Sequence, residues 1–100
     1  MRDVVTYREE NGILTCIFSG KFDTVVSESI SNDVFDHIQQ AKEAVVFDFK
    51  NVDYVSSAFL RISIRCARAV PGMKIKIINS LPDIKEVFRV SGLFKIFSFE

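Results

Sequence analysis

The spacing of apolar residues changes repeatedly along this chain, and each change marks the boundary of an element. The runs VVTYRE and ILTCIF are strand-like and flank the pair Asn11-Gly12. Such a pair between two strand-like runs is the strongest short signal for a tight hairpin. Strands are therefore predicted near residues 3 to 9 and 13 to 19. After Gly20 the period lengthens: Val26, Ile30, Val34, Ile38 and Ala41 recur every three or four residues among polar neighbours. That is one apolar stripe on a helix, with Asp23 or Thr24 as its N-cap.

The run AVVFDFK, residues 44 to 50, is almost continuously apolar, as expected of a central strand. From Ser57 to Ala69 the chain reads as a second helix, closed by Pro71-Gly72. Phe59, Leu60, Ile62, Ile64, Cys66 and Ala67 spread over a wide apolar face of that helix. Arg61, Arg65 and Arg68 fall in one narrow sector and mark its exposed side. KIKIINS, residues 74 to 80, alternates as a strand; IKEVFRVSG forms a third helix ending at Gly92; KIFSFE supplies a last strand or extended tail. Strands alternating with helices predict a single α/β domain over residues 1 to 100, a small mixed sheet of four to five strands with helices packed against it.

One hundred residues suffice for one core, burying roughly two thirds of the unfolded chain's surface. Thirteen basic and thirteen acidic side chains cancel, so the overall balance gives no argument for nucleic acid or an anionic membrane as partner. The start, MRDVVTYREE, carries charges with no long apolar run behind them. The expectation is a cytoplasmic protein with no membrane insertion. Cys16 and Cys66 sit in apolar stretches without redox or zinc spacing and are expected to be buried free thiols.

Catalysis needs converging groups, and the chain offers few. Its four glycines are dispersed and build no phosphate-cradling loop. Nothing in the sequence places the lone His37 beside a serine, and a solvated position on the helix face is the simpler reading. No catalytic residue, metal ligand or cofactor site is therefore expected. Asp48, alone in an apolar strand, needs a hydrogen-bond partner and a structural role.

The chemistry concentrates in VDYVSSAFLR, residues 52 to 61, where a strand hands over to a helix through two adjacent hydroxyls. A helix N-terminus has unpaired N–H groups and favours negative charge. One hydroxyl, of Ser56 or Ser57, would cap the helix; a phosphoryl group on Ser57 would also be tolerated there. Asp23 is most simply a cap, and the arginine stripe a solvated face that could attract an acidic partner.

These residues carry a family resemblance. The segments FSGKFD (18 to 23), VVFDFKNVDYVSSAFL and VFRVSGLFKIFSFE occur in the order and spacing of the STAS domain, the fold shared by bacterial anti-sigma factor antagonists and the cytoplasmic tails of sulphate transporters. In the antagonists, the serine that follows an aspartate at the head of the second helix is phosphorylated by an anti-sigma factor that is itself a serine kinase. Ser57 matches that acceptor. The resemblance implies partner switching: the unmodified form binds the kinase and frees the sigma factor, and the phosphorylated form is released until a serine phosphatase removes the phosphate. ATP and magnesium would belong to the kinase. The implied docking surface comprises Asp23, Tyr54, Ser56, Ser57, Ala58, Phe59 and Arg61.

The chain departs from the pattern twice. Ser56 stands where the aspartate usually precedes the acceptor, and Phe59 where a glycine usually follows two residues later. A phenylalanine there either turns into the core and leaves the loop accessible, or projects outward, where it obstructs a kinase or anchors another partner. The leading expectation is a non-enzymatic switch regulating sigma-factor-dependent transcription. The alternative is a structural STAS subunit, never phosphorylated, packed permanently on the ATPase of a lipid transporter. A serine hydrolase is more distant, because no base or oxyanion hole accompanies Ser57.

Overall fold

The hairpin signalled by Asn11-Gly12 opens the structure. Glu10 pairs with Ile13 across the turn, and both central residues take positive φ, 54° at Asn11 and 83° at Gly12, as a type I′ turn requires. The Gly12 carbonyl also accepts from the Glu43 N–H at 2.9 Å. A Cβ at Gly12 would lie 2.6 Å from Glu43 Cγ, so the glycine admits a close approach as well as the turn.

The computed structural model describes residues 4–100. In chain order it contains β1 (Val5–Glu10), β2 (Ile13–Phe22), α1 (Thr24–Ile38), β3 (Ala44–Val55), α2 (Ser57–Ala69), β4 (Ile75–Ile78) and α3 (Pro82–Val90). A 3-10 turn at Leu93–Lys95 and β5 (Phe97–Phe99) complete it. Residue 3, where the first strand was expected to begin, lies outside the described residues. The strands form one sheet in the order β1-β2-β3-β4-β5. β1 is antiparallel to β2, and every other pair is parallel, so each parallel pair is bridged by a helical connection.

All three helices cover the same face of the sheet. Register places Tyr7 beside Cys16, Cys16 beside Phe47 and Phe47 beside Ile77. Each helix seats an aromatic ring on this row or its neighbours: His37 of α1 stacks on Tyr7, Phe59 of α2 meets Phe18 edge-on, and Phe88 of α3 packs on Phe49 and Phe97. Phe18, Phe22, Phe47, Phe49, Phe59, Phe88 and Phe97 are all fully buried. The opposite face carries Thr15, Ile17, Val46 and Ile78, bordered by the Lys76–Glu100 ion pair at 3.1 Å.

Several boundaries differ from the sequence reading, and β2 runs past residue 19 to Phe22. α1 ends at Ile38, and Ala41 packs on the core from the following turn. α3 starts earlier, at Pro82, with proline in the first turn where a missing N–H costs nothing. β3 continues beyond residue 50 to Val55 because it carries two extra residues relative to β2: Asp48 pairs with Ile17 but Asn51 with Ser19, then Val52 with Gly20 but Tyr54 with Lys21. These irregularities let Phe49, Val52 and Val55, spaced by three, all be buried. Asp48 finds the partners it needs: its Oδ1 accepts from the Lys50 N–H at 2.9 Å and from Asn79 Nδ2 at 3.1 Å.

Cys16 and Cys66 are buried and unpaired. Burial pushes the Cys66 thiol up to about 12, with Arg65 opposing the shift, and raises Cys16 further, helped by Cys66. Both thiols stay protonated in the fold, whereas in the unfolded chain they ionise near about pH 8.5. A raised folded-state pKa contributes stability that is complete below the unfolded value and is lost as pH rises. Urea unfolding should therefore show stability falling from about pH 8.5 upward, with a shallower slope in Cys66→Ala. The same thiols should react with a disulfide reagent only on unfolding; rapid native-state labelling would refute their burial.

Candidate functional site

β2 and β3 run parallel and end side by side, with Phe22 opposite Val55. The Ser56 N–H donates to the Phe22 carbonyl at 2.9 Å, extending the ladder one residue past the strand. Each strand then passes directly into a helix, so the N-termini of α1 and α2 emerge together from one end of the sheet. Both are capped. Asp23 Oδ1 accepts from the Val26 N–H at 2.9 Å, and Ser56 Oγ accepts from the Phe59 N–H at 3.3 Å. Both caps have extended backbone, and neither helix has an acidic residue in its first turn.

The two serines thus divide the possibilities that the sequence left open. Ser56 is the cap and is partly buried. Ser57 is the first helical residue and is exposed; its hydroxyl has no hydrogen-bond partner among the described residues. Asp23, Tyr54 and Arg61, the other polar members of the expected surface, are exposed around it, Tyr54 by 49 %. Lys21 and Asp53 join the two strands at the rim through an ion pair of 3.4 Å.

Two members of the expected surface are corrected. Ala58 and Phe59 retain only 3 % and 1 % exposure and face the core. The Phe59 ring lies 5.3 Å from Phe18, 4.9 Å from Phe22 and 5.8 Å from Phe49, centroid to centroid. It pins the first turn of α2 to the ends of β2 and β3, and aromatic pairs of this kind add about 0.5–1.5 kcal/mol each beyond burial. The loop beside Ser57 is left accessible. Leu60, Ile62 and Ile64 are only partly buried, so the inward face of α2 is narrower than its composition implied; Ser63 lies within it, donating to the Phe59 carbonyl at 2.9 Å.

One exposed residue at this end escaped the sequence reading. Val25, in the first turn of α1 next to the cap Asp23, is 75 % exposed. The available signal was phase: Val26, Ile30 and Val34 define the inward stripe, and Val25 lies off it. His37 is engaged elsewhere, stacked on Tyr7 with ring centroids 3.5 Å apart and bonded through Nδ1 to the Asp33 carbonyl at 2.8 Å. It makes these contacts at the far end of α1 while its side chain stays 39 % exposed, in keeping with a position on the solvated helix face. Tyr7 donates to Asp33 Oδ2 at 2.7 Å; burial first, then that bond, raises its phenol well above the ordinary range. Among the described residues, no group of three or more His, Cys, Asp or Glu comes close enough to hold a metal ion. Likewise, no helix of the described residues is long and apolar enough to cross a membrane.

Residues 5–100 match the model of the STAS domain family. BtrV of Bordetella bronchiseptica, named as a candidate anti-sigma factor antagonist, is 25 % identical over 95 residues, covering 93 % of this chain and 82 % of BtrV. The structure of an anti-sigma-factor antagonist (STAS) domain protein from Planctomyces limnophilus superposes with a TM-score of 0.87 at 16 % identity, covering 96 % of this chain and 87 % of that one. The Bacillus cell fate determinant SpoIIAA, solved in its phosphorylated form, gives a TM-score of 0.72 at 17 % identity, covering 96 % and 90 %.

The geometry separates the serines experimentally. Ser56→Ala should cost about 0.5–2 kcal/mol of stability through the lost cap, whereas Ser57→Ala should leave stability unchanged within about 0.5 kcal/mol. Phe59→Ala should cost about 3–5 kcal/mol by opening a cavity among the rings. Denaturant unfolding measures all three; equal losses at the two serines would contradict the division.

Proposed function

The chain belongs to the STAS domain family, and we propose that it is a cytoplasmic anti-sigma factor antagonist that binds an anti-sigma serine kinase and is switched by phosphorylation of Ser57. One observation carries this reading. The hydroxyl at the acceptor position is exposed in the first turn of α2, while the cap is supplied by its neighbour Ser56. A kinase can therefore modify Ser57 without taking a hydrogen bond from the fold.

The surroundings support the same reading. A phosphoryl group adds about 1.5 to 2 negative charges, and neither the cap nor the first turn of α2 carries a carboxylate to repel it. It meets the positive end of the α2 dipole, so the fold tolerates it. A partner fitted to a neutral hydroxyl would instead face a new charge and its hydration shell. Asp23, Tyr54, Ser56 and Arg61, with Val25, would form the docking surface around Ser57; Ala58 and Phe59 support it from beneath. The inward turn of Phe59 removes the obstruction that an outward ring would present to a kinase. It also removes the aromatic anchor on which the transporter-subunit alternative leaned. A serine phosphatase would reset the switch, and the output would be sigma-factor-dependent transcription.

Intact-mass analysis of the protein from its native cells, with fragmentation, should locate a partial phosphate on Ser57. Ser57→Ala should keep kinase binding and lose the mass shift, and Ser57→Asp should weaken the complex by about tenfold, ~1.4 kcal/mol. ATP should dissociate the wild-type complex but not the Ser57→Ala complex. Equal affinity of Ser57→Asp and wild type, together with unmodified Ser57 across growth and stress conditions, would overturn the proposal.

A further inference from the structure

A second surface begins one turn beyond Ser57. Arg61, Arg65 and Arg68 are exposed along α2, at offsets of four and seven, and span about 10 Å of helix axis. Together with Phe35, Ile64 and Ala69 they line a groove of about 530 Å³ along the seam between α1 and α2. Its floor is apolar and its rim is guanidinium. A smaller depression, sharing Arg61 and Arg65, continues the groove toward Ser31 and Ala58, where the Glu28 carboxylate also lines it.

The three arginines are not equivalent. Arg65 is fixed in place: its Nη1 donates to Ser31 Oγ at 3.2 Å and Asn32 Oδ1 at 3.4 Å, and its guanidinium lies 4.0 Å from the centroid of the Phe35 ring. Arg61 and Arg68 stand on either side of it, and among the described residues neither has a carboxylate within ion-pairing distance. The groove therefore combines one pre-positioned cation, two cations without a counterion and an apolar floor. Guanidinium forks favour carboxylates through paired N–H bonds.

The spacing and surroundings narrow the choice of occupant. A ligand with a single anionic head would satisfy one arginine and leave the row. A flat anionic membrane, or a nucleic acid, would bring phosphates over α1 as well, where Glu28, Asp33 and Asp36 are exposed. A slender rod carrying carboxylates at one helical period meets the arginines, and of those acids only Glu28, at the Arg61 end, lines its path. From this charge complementarity we propose that the α1–α2 groove docks an acidic amphipathic helix of a partner protein. Carboxylates at i, i+4 and i+7 pair with the arginine row, and an apolar residue between them rests on Phe35, Ile64 and Ala69. Arg61 is shared with the surface proposed around Ser57, whereas Arg65, Arg68 and Phe35 lie outside it, so the Arg68 end of the groove does not depend on the kinase reading.

The probe is a synthetic helical peptide of about four turns with glutamates at i, i+4 and i+7 and leucines between them, titrated into isotope-labelled full chain. Amide shifts are expected to concentrate at Phe35, Ile64 and Ala69. Affinity should fall by about tenfold in Arg61→Ala/Arg68→Ala, and should weaken as salt is raised from about 0.05 M to about 0.3 M. A peptide with lysine for glutamate should not bind. Circular dichroism of the double variant confirms that it is folded. Equal binding of the two peptides, shifts centred on the open sheet face, or no binding at about millimolar peptide would overturn the proposal. So would binding to phosphatidylglycerol vesicles that the acidic peptide does not displace.

Discussion

The parallel pairing of β2 with β3 is the constraint on which the rest of this molecule depends. It brings Phe22 opposite Val55, and so places the caps Asp23 and Ser56 next to each other although they lie far apart in sequence. Parallel pairing alone would not hold the helices in position. The bulged course of β3 keeps Phe49, Val52 and Val55 on the buried side, and Phe59 then closes over Phe18, Phe22 and Phe49. Backbone register and aromatic packing therefore fix one object: the end of the sheet from which two helices depart.

Electrostatics follows from that placement. The α1 N-terminus is met by the Asp23 carboxylate, whereas the α2 N-terminus, capped by neutral Ser56 with no acid in its first turn, stays locally positive in a chain whose formal charges cancel. Further along α2, the arginine row extends the same sign across the α1–α2 seam. The acids of α1, Glu28, Asp33 and Asp36, occupy neighbouring exposed positions. Recognition on this protein is thus local, set by narrow stripes of one charge beside stripes of the other, with no field from the molecule as a whole.

Much of this was legible in the residues. The Asn-Gly turn, the stripe of α1 and the start of α2 at Ser57 follow from short-range rules, and the structure places them accordingly. The ends of β2 and β3 were hidden because bulges replace the two-residue alternation with a spacing of three that no strand pattern contains. Phe59 is the instructive case. The helical phase assigned it to the apolar face, while the family pattern assigned it to the docking loop; the local physics was the better guide. Which serine caps was not decidable from sequence, since either hydroxyl satisfies the rule and only the backbone at Ser56, φ −102° and ψ 171°, distinguishes them. The division of α2 into a buried stripe and an arginine-rimmed groove needed the position of Phe35 on α1, a long-range fact.

The adjacency of Ser56 and Ser57 has a consequence for how this chain can evolve. Substitutions at Ser56 are filtered by folding, because its Oγ holds the head of α2. Substitutions at Ser57 remove no bond from the fold. A lineage can therefore exchange the hydroxyl at 57 for a fixed charge or an inert side chain, and gain or lose responsiveness, without first accumulating compensating stability elsewhere. Neighbouring codons carry separable selective pressures, one on persistence of the protein and one on its conversation with other proteins.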